Sequence, residues 1–185
     1  MRFHIDDVAI RQAKTPHELT MVNLLLVNLL LGAAGVVLNI GVLGFLLPML
    51  PSLLVIAFTV WRARVHQHRG PWFAAAHWRL ALRRYRLLLV AYGVSLALVG
   101  LGWLLAQGNA DPKLQDIMFT AFLRVAVVPM LLAVMVTAVL ESGSIYQAGR
   151  GEVPDNLVAR FPPPAGAKLR QVDASDLPAR EDRFD

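Results

Sequence analysis

From Leu19 to Trp61 the chain runs for 43 residues without a charged side chain. An α-helix needs about 20 apolar residues to cross the hydrocarbon core of a bilayer, so this run reads as two crossings placed back to back. The turn between them is expected at Asn39-Ile40-Gly41 through Gly44, because Asn and Gly accept the conformations that end helices. The first two spans are then 19–39 and 43–61. Pro48 and Pro51 lie in the opening turns of the second, where a missing N–H donor is tolerated. Composition agrees: 17% of residues are charged, against about 25% in soluble domains.

Residues 62–86 hold seven arginines and no Asp or Glu. A third span is expected over 87–107. A short polar loop around Asp111-Pro112-Lys113 leads to a fourth over 117–140. The segment from Pro71 to Arg86 reads as a helix running into the third span. Its apolar face, Trp72, Phe73, Ala76 and Leu80, suits the membrane interface, and Arg79, Arg83 and Arg86 line another face. By the positive-inside rule the arginine segment lies in the cytoplasm, and with four spans both termini lie there too. Residues 1–18 carry three basic and three acidic groups and lack the pattern of a secretory signal. From Glu141 the sequence turns polar, with Phe161-Pro162-Pro163-Pro164 and a mixed-charge end, which predicts a largely disordered tail.

The expected fold is therefore all-α, an integral-membrane four-helix bundle made of two helical hairpins. It divides into a cytoplasmic N-terminal segment 1–18, a four-span domain 19–140 with a basic cytoplasmic loop 62–86 that includes an interfacial helix, and a cytoplasmic polar, proline-rich tail 141–185.

The charge pattern excludes several function classes. The chain carries 18 basic against 13 acidic residues, which by itself suggests an anionic partner. The segment from Glu141 has six basic and eight acidic residues, so the surplus comes from the 62–86 segment alone. Nucleic-acid binding needs a soluble basic surface with reading elements; topology and anionic lipids explain these arginines more simply. Arg79, Arg83, Arg84 and Arg86 are candidate headgroup ligands, since basic groups near an anionic leaflet contribute roughly 1 kcal/mol each. The chain has no cysteine, which removes disulfides and thiolate chemistry. His66, His68 and His77 lie close in sequence, but seven cations without a carboxylate make a poor metal environment. No nucleotide loop, nucleophile elbow or zinc signature is present. No acid falls inside the expected spans, which disfavours proton-coupled transport of the carboxylate type. The expectation is a protein with no catalytic residues, metal or cofactor.

Arg124 is the one charge inside an expected span. It lies about 12 Å along the helix from Asp116, where a central Arg costs roughly 2.5–3.5 kcal/mol and is usually satisfied by protein or by a wet cavity. Pro129 frees the carbonyl of Val125 as a nearby acceptor. It reads either as a structural Arg bonded to carbonyls and Asn side chains or as an anion site. In the first span Asn28, Gly32, Gly35 and Asn39 share one helical face, on which small residues allow close approach and Asn amides bond across helices. This face is expected to pack on the Arg124 side of the fourth span. Gly93, Ala97 and Gly100 form a second smooth face.

The stretch Pro71-Trp72-Phe73 through His77 to Ala81-Leu82, with Gln147-Ala148-Gly149-Arg150-Gly151-Glu152 and Pro154 further on, resembles a small bacterial four-span membrane-protein family of mostly unknown function. That family is related to a chloroplast inner-envelope import protein and includes magnetosome membrane proteins. The resemblance covers roughly residues 45–160. It departs from the family after Ala81-Leu82, where Arg83-Arg84-Tyr85 stand in place of Asn-Phe-Gln. It implies a small helical membrane protein without known catalysis.

The resulting expectation is a non-enzymatic bacterial inner-membrane protein serving as an accessory or scaffold subunit, in contact with other membrane subunits and anionic lipids. The alternative is a homo-oligomeric small transporter or channel with Arg124 in an anion pathway.

Overall fold

A computed structural model of the chain describes residues 1–165, apart from the side chains of His68 and Arg69. Four long helices account for most of it: α1 (Asp7–Leu38), α2 (Val42–Arg69), α3 (Trp72–Gln107) and α4 (Pro112–Gly149). A single turn, α5 (Asp155–Val158), follows. Each long helix contains a stretch apolar and long enough to cross a membrane. The chain is an all-α, multi-pass membrane bundle.

Local chemistry sets the helix ends. Asp6 caps α1, its carboxylate accepting from the Ala9 amide at 2.6 Å. Asp111 does the same for α4 through the Lys113 amide at 2.9 Å, with Pro112 in the first turn, where its missing donor costs nothing. The α1–α2 turn falls at Asn39 (φ 48°) and Gly41 (φ 59°), as the sequence suggests. Just beyond it the two backbones nearly touch: a Cβ added to Gly35 would sit 2.2 Å from the Gly44 carbonyl oxygen.

α1 is not uniform. Over Asn23–Leu31 it adopts wider π-type turns, with i→i+5 bonding. The widening turns Asn23 and Asn28, five residues apart, toward the same interior, where the Asn28 amide donates to the Asn23 carbonyl at 2.9 Å.

The helices overrun the expected spans mainly at the arginine-rich end, and α4 also begins earlier than expected, at Pro112. The expected 62–86 loop is helical except for a break at Gly70-Pro71, because α2 continues to Arg69 and α3 begins at Trp72. The 36 residues of α3 extend roughly 54 Å, against a hydrocarbon core of about 30 Å. α4 does not stop at Leu140 but continues to Gly149, so Glu141 belongs to the bundle rather than to the tail.

Two clusters organise the packing. Within the membrane region Leu24, Phe45, Met49, Ile56, Leu88 and Met130 are among the buried core. At the arginine-rich end a second cluster gathers Phe3, Ala13, Phe73, Ala76, Leu80, Ala148, Val153, Leu157 and Val158. The N-terminal residues pair with the segment after α4 through an Arg2–Glu152 bridge, the Phe3 amide donating to Gly151 O and the Val153 amide to Met1 O, both at 2.9 Å. Phe73, Ala76 and Leu80, expected at the lipid interface, are thus covered by protein. Residues 150–161, expected to be disordered, form this cap, with Phe161 stacked on Trp72. The expected disorder of residues 166–185 lies outside the described residues.

Candidate functional site

Under the cap the bundle encloses a chain of ionisable groups. On α1, residues Ala9, Ala13, His17, Thr20 and Leu24 recur at helical spacing and are buried. On α4, Met130, Val134, Thr137, Glu141, Ser144 and Ala148 follow a strict three-four rhythm across the end of the apolar run, and all are buried. On α3, His77, Ala81, Tyr85, Leu88, Tyr92 and Ser95 do the same. Where these stripes meet, His17, His77 and Glu141 have no exposed surface.

His17 lies between the other two. Its Nδ1 is 2.5 Å from Glu141 Oε2, and its Nε2 is 2.9 Å from His77 Nδ1, with the rings edge to face. His77 Nε2 then donates to the Glu152 backbone carbonyl at 3.1 Å. The Arg84 guanidinium lies 3.6 Å from Glu141 Oε1 and also donates to the Leu140 carbonyl. The Glu152 carboxylate is occupied elsewhere, by Arg150 at 2.9 Å and Arg2 at 3.4 Å. Arg150 is raised above the ordinary arginine value, first by its hydrogen bond to the Tyr146 hydroxyl and further by the Glu152 charge.

A second polar layer lies deeper in the bundle. The Asn23 amide donates to Ser52 Oγ at 2.9 Å, the Asn28 amide reaches the same oxygen at 3.2 Å, and the Tyr92 hydroxyl donates to Asn28 Oδ1. Buried polar atoms without a hydrogen-bond partner include Asn23 Oδ1, the Tyr85 hydroxyl, Ser95 Oγ, Thr137 Oγ1, Glu141 Oε1 (ion-paired with Arg84) and Ser144 Oγ. Such groups are commonly satisfied by internal water.

The sequence-predicted residues are dispersed differently from expectation. Arg124 is exposed on the outside of α4, and no described residue pairs with it. The face of Asn28, Gly32 and Gly35 does not pack on Arg124. Asn28 binds Ser52 and Tyr92, Gly35 meets Gly44, and Gly32 lies nearest Pro48. The reason is the short α1–α2 turn, which lays this face against α2. Asn39 is exposed and serves the turn. Arg79 stacks over the Phe161 ring at 3.9 Å, Arg83 and Arg84 are half-buried and Arg86 is exposed. Arg84 and Leu140 line one groove with Leu80, Arg83, Leu87, Pro154 and Asn156. His66 bonds to the Arg62 carbonyl at 3.0 Å and stacks on Trp78, apart from His77. Among the described residues no three His, Asp or Glu converge as a metal ion requires.

Sequence reasoning missed His17 and Glu141. The legible signal was the three-four spacing of Thr137, Glu141, Ser144 and Ala148, which carries one buried face through the point where hydropathy falls.

No family model, no curated protein and no solved structure matches this chain.

Proposed function

We propose that this multi-pass membrane protein serves as a non-enzymatic accessory or scaffold subunit of a membrane assembly. Arg124 carries the reading. Its guanidinium stands on an apolar, exposed side of α4 beside exposed Val125 and Val128. An Arg facing hydrocarbon costs roughly 2.5–3.5 kcal/mol at the centre of a helix, and a carboxylate or carbonyl from a second polypeptide removes that cost. Gly102 of α3 packs on Phe122 of α4, so in this antiparallel pair Gly100 lies at the depth of Arg124. There Gly93, Ala97 and Gly100 are exposed, and small residues of this kind let a partner helix approach closely. The motif resemblance across residues 45–160 implies a small helical membrane protein without known catalysis, in keeping with a non-enzymatic role.

Anionic lipid is the second partner of this reading. The groove between α3 and α4 has Arg83 and Arg84 above Leu87 and Leu140, suited to a headgroup over its acyl chain. The arginine-rich end would face the cytoplasm of a bacterial inner membrane.

A homo-oligomeric transporter is the second reading, favoured by the same exposure of Arg124, which suits a boundary between copies better than a pore within one. Native mass spectrometry of the chain extracted from its own membrane separates the two. A mass that includes a different polypeptide, lost in Arg124→Leu, supports the accessory role. A pure homo-oligomer whose reconstituted vesicles pass anions, with flux abolished in Arg124→Leu, supports the transporter. A bare monomer refutes both.

A further inference from the structure

The hydrogen bonds around His17 fix a proton count. Three links join Glu141 to His17, His17 to His77, and His77 to the Glu152 carbonyl. A carbonyl oxygen only accepts, so His77 Nε2 must carry hydrogen. Each remaining link needs one hydrogen of its own. Three arrangements satisfy all the links: a protonated Glu141 with two neutral histidines, a cationic His17 beside ionised Glu141, or a cationic His77 with neutral His17 and ionised Glu141. They differ only in where one proton sits, and each leaves the three residues neutral in sum.

Removing that proton has a structural consequence. With Glu141 ionised and both rings neutral, two hydrogens remain for three links. If His17 donates to Glu141 and His77 to Glu152, two bare nitrogens face each other at 2.9 Å. If His77 turns its hydrogen to His17 instead, a bare Nε2 faces the Glu152 carbonyl; if His17 donates to His77 and His77 to Glu152, a bare Nδ1 faces the ionised Glu141 carboxylate at 2.5 Å.

We propose that Glu141, His17 and His77 form a binding site for a single proton. The proton passes between the carboxylate and the His77 ring, and on its departure to solvent the link that opens is the one to Glu152, which joins the cap rather than two long helices. Because Glu152 pairs with Arg2 in the bridge that closes the cap, release of the proton loosens the cap, and its return closes it. The three groups titrate as one unit, as strongly coupled sites do. The ionisable groups facing the cluster are few. α1 supplies His17, with Lys14 one turn away beside Gly149. α3 supplies His77, Arg84 and Tyr85, α4 supplies Glu141, and the cap supplies Glu152, its carboxylate held by Arg2 and Arg150. This site is independent of the assembly reading above.

The test uses the full chain with ¹⁵N-labelled histidine, in nanodiscs of phosphatidylcholine and phosphatidylglycerol, titrated from acid to alkaline pH. The expected result is one concerted step shared by the His17 and His77 ring nitrogens. Across the same step the Phe3 and Val153 amides lose roughly tenfold in exchange protection, the measure of one weakened hydrogen-bonded contact. Glu141→Gln is expected to fold, because its carboxamide donates to His17 Nδ1 and completes all three links without an ionisable proton. In that variant the step disappears and the cap stays closed at every pH. Separate midpoints for the two rings, no step in the wild type, or a step that persists in Glu141→Gln would overturn the proposal. Should the variant fail to fold, the wild-type titration alone decides.

Discussion

The contact between Gly35 and Gly44 offers the sharpest test of how the first hairpin is held. An alanine at position 35 would place its Cβ 2.2 Å from the Gly44 carbonyl oxygen, 2.8 Å from its carbon and 3.0 Å from its Cα. These are backbone atoms, so no side chain can swing aside. Ordinary contact begins near 3.4 Å, and α1 and α2 must part by about 1 Å to restore it. A gap of that size forfeits a quarter to a half of each dispersion contact along the seam, and overpacking of this kind costs about 1–3 kcal/mol. Ala also gains up to about 1 kcal/mol over Gly in a helix, which would mask part of the loss. Gly93→Ala supplies the control: that glycine is helical and exposed, with nothing within 4 Å of an added Cβ. The difference between the two variants therefore isolates the close approach, and it should reach about 1–3 kcal/mol, or roughly 5- to 150-fold in the unfolding equilibrium. Reversible unfolding in mixed detergent micelles measures it. If Gly35→Ala proved as stable as Gly93→Ala, the hairpin would not depend on backbone contact and the reasoning would fail.

Three further outcomes are expected. Asn28→Ala removes the acceptor of the Tyr92 hydroxyl and a donor to Ser52; leaving buried groups unpaired should cost about 1–3 kcal/mol, and Tyr92→Phe should cost less, as the same unfolding assay would show. Asp6→Ala deletes the cap of α1 and should cost about 1 kcal/mol, read as faster amide exchange over the first turn with the transmembrane region unchanged. Phe3→Ala empties a position in the cap cluster; limited proteolysis should then cut near Arg2, Arg150 or Arg160 while the four long helices stay protected, and an unaltered digestion pattern would contradict the cap.

Sequence and structure agree where a single physical term dominates. The uncharged run Leu19–Trp61 has no stable place outside a bilayer or a large core, so two crossings follow, and Asn39 and Gly41 mark the turn because each adopts positive φ. The ends of the helices were less legible. Hydropathy falls at Leu140 and again before Leu87, yet both helices continue, held by contacts with the N-terminal segment and residues 150–161 rather than by lipid. The ionisable cluster was illegible for a related reason. His17 stands 60 residues from His77 and 124 from Glu141, and only the hairpin geometry brings the three together. The pairing expected between the Asn28 face and Arg124 failed because the short α1–α2 turn lays that face against α2 while Arg124 is exposed on the outside of α4.

The widening of α1 over Asn23–Leu31 bears on how the gene can change length. A residue lost from an ordinary helix rotates everything beyond it by about 100°, which in α1 would swing His17 away from Glu141 or Gly35 away from Gly44. Wide turns behave as surplus residues already accommodated in the helix. A deletion within Asn23–Leu31 can be absorbed by tightening toward ordinary pitch, leaving both ends of α1 in phase with their neighbours. Single-residue deletions scanned along α1 should therefore be tolerated at the leucines of this window, Asn23 and Asn28 being held by their buried contacts, and nowhere else between His17 and Gly35.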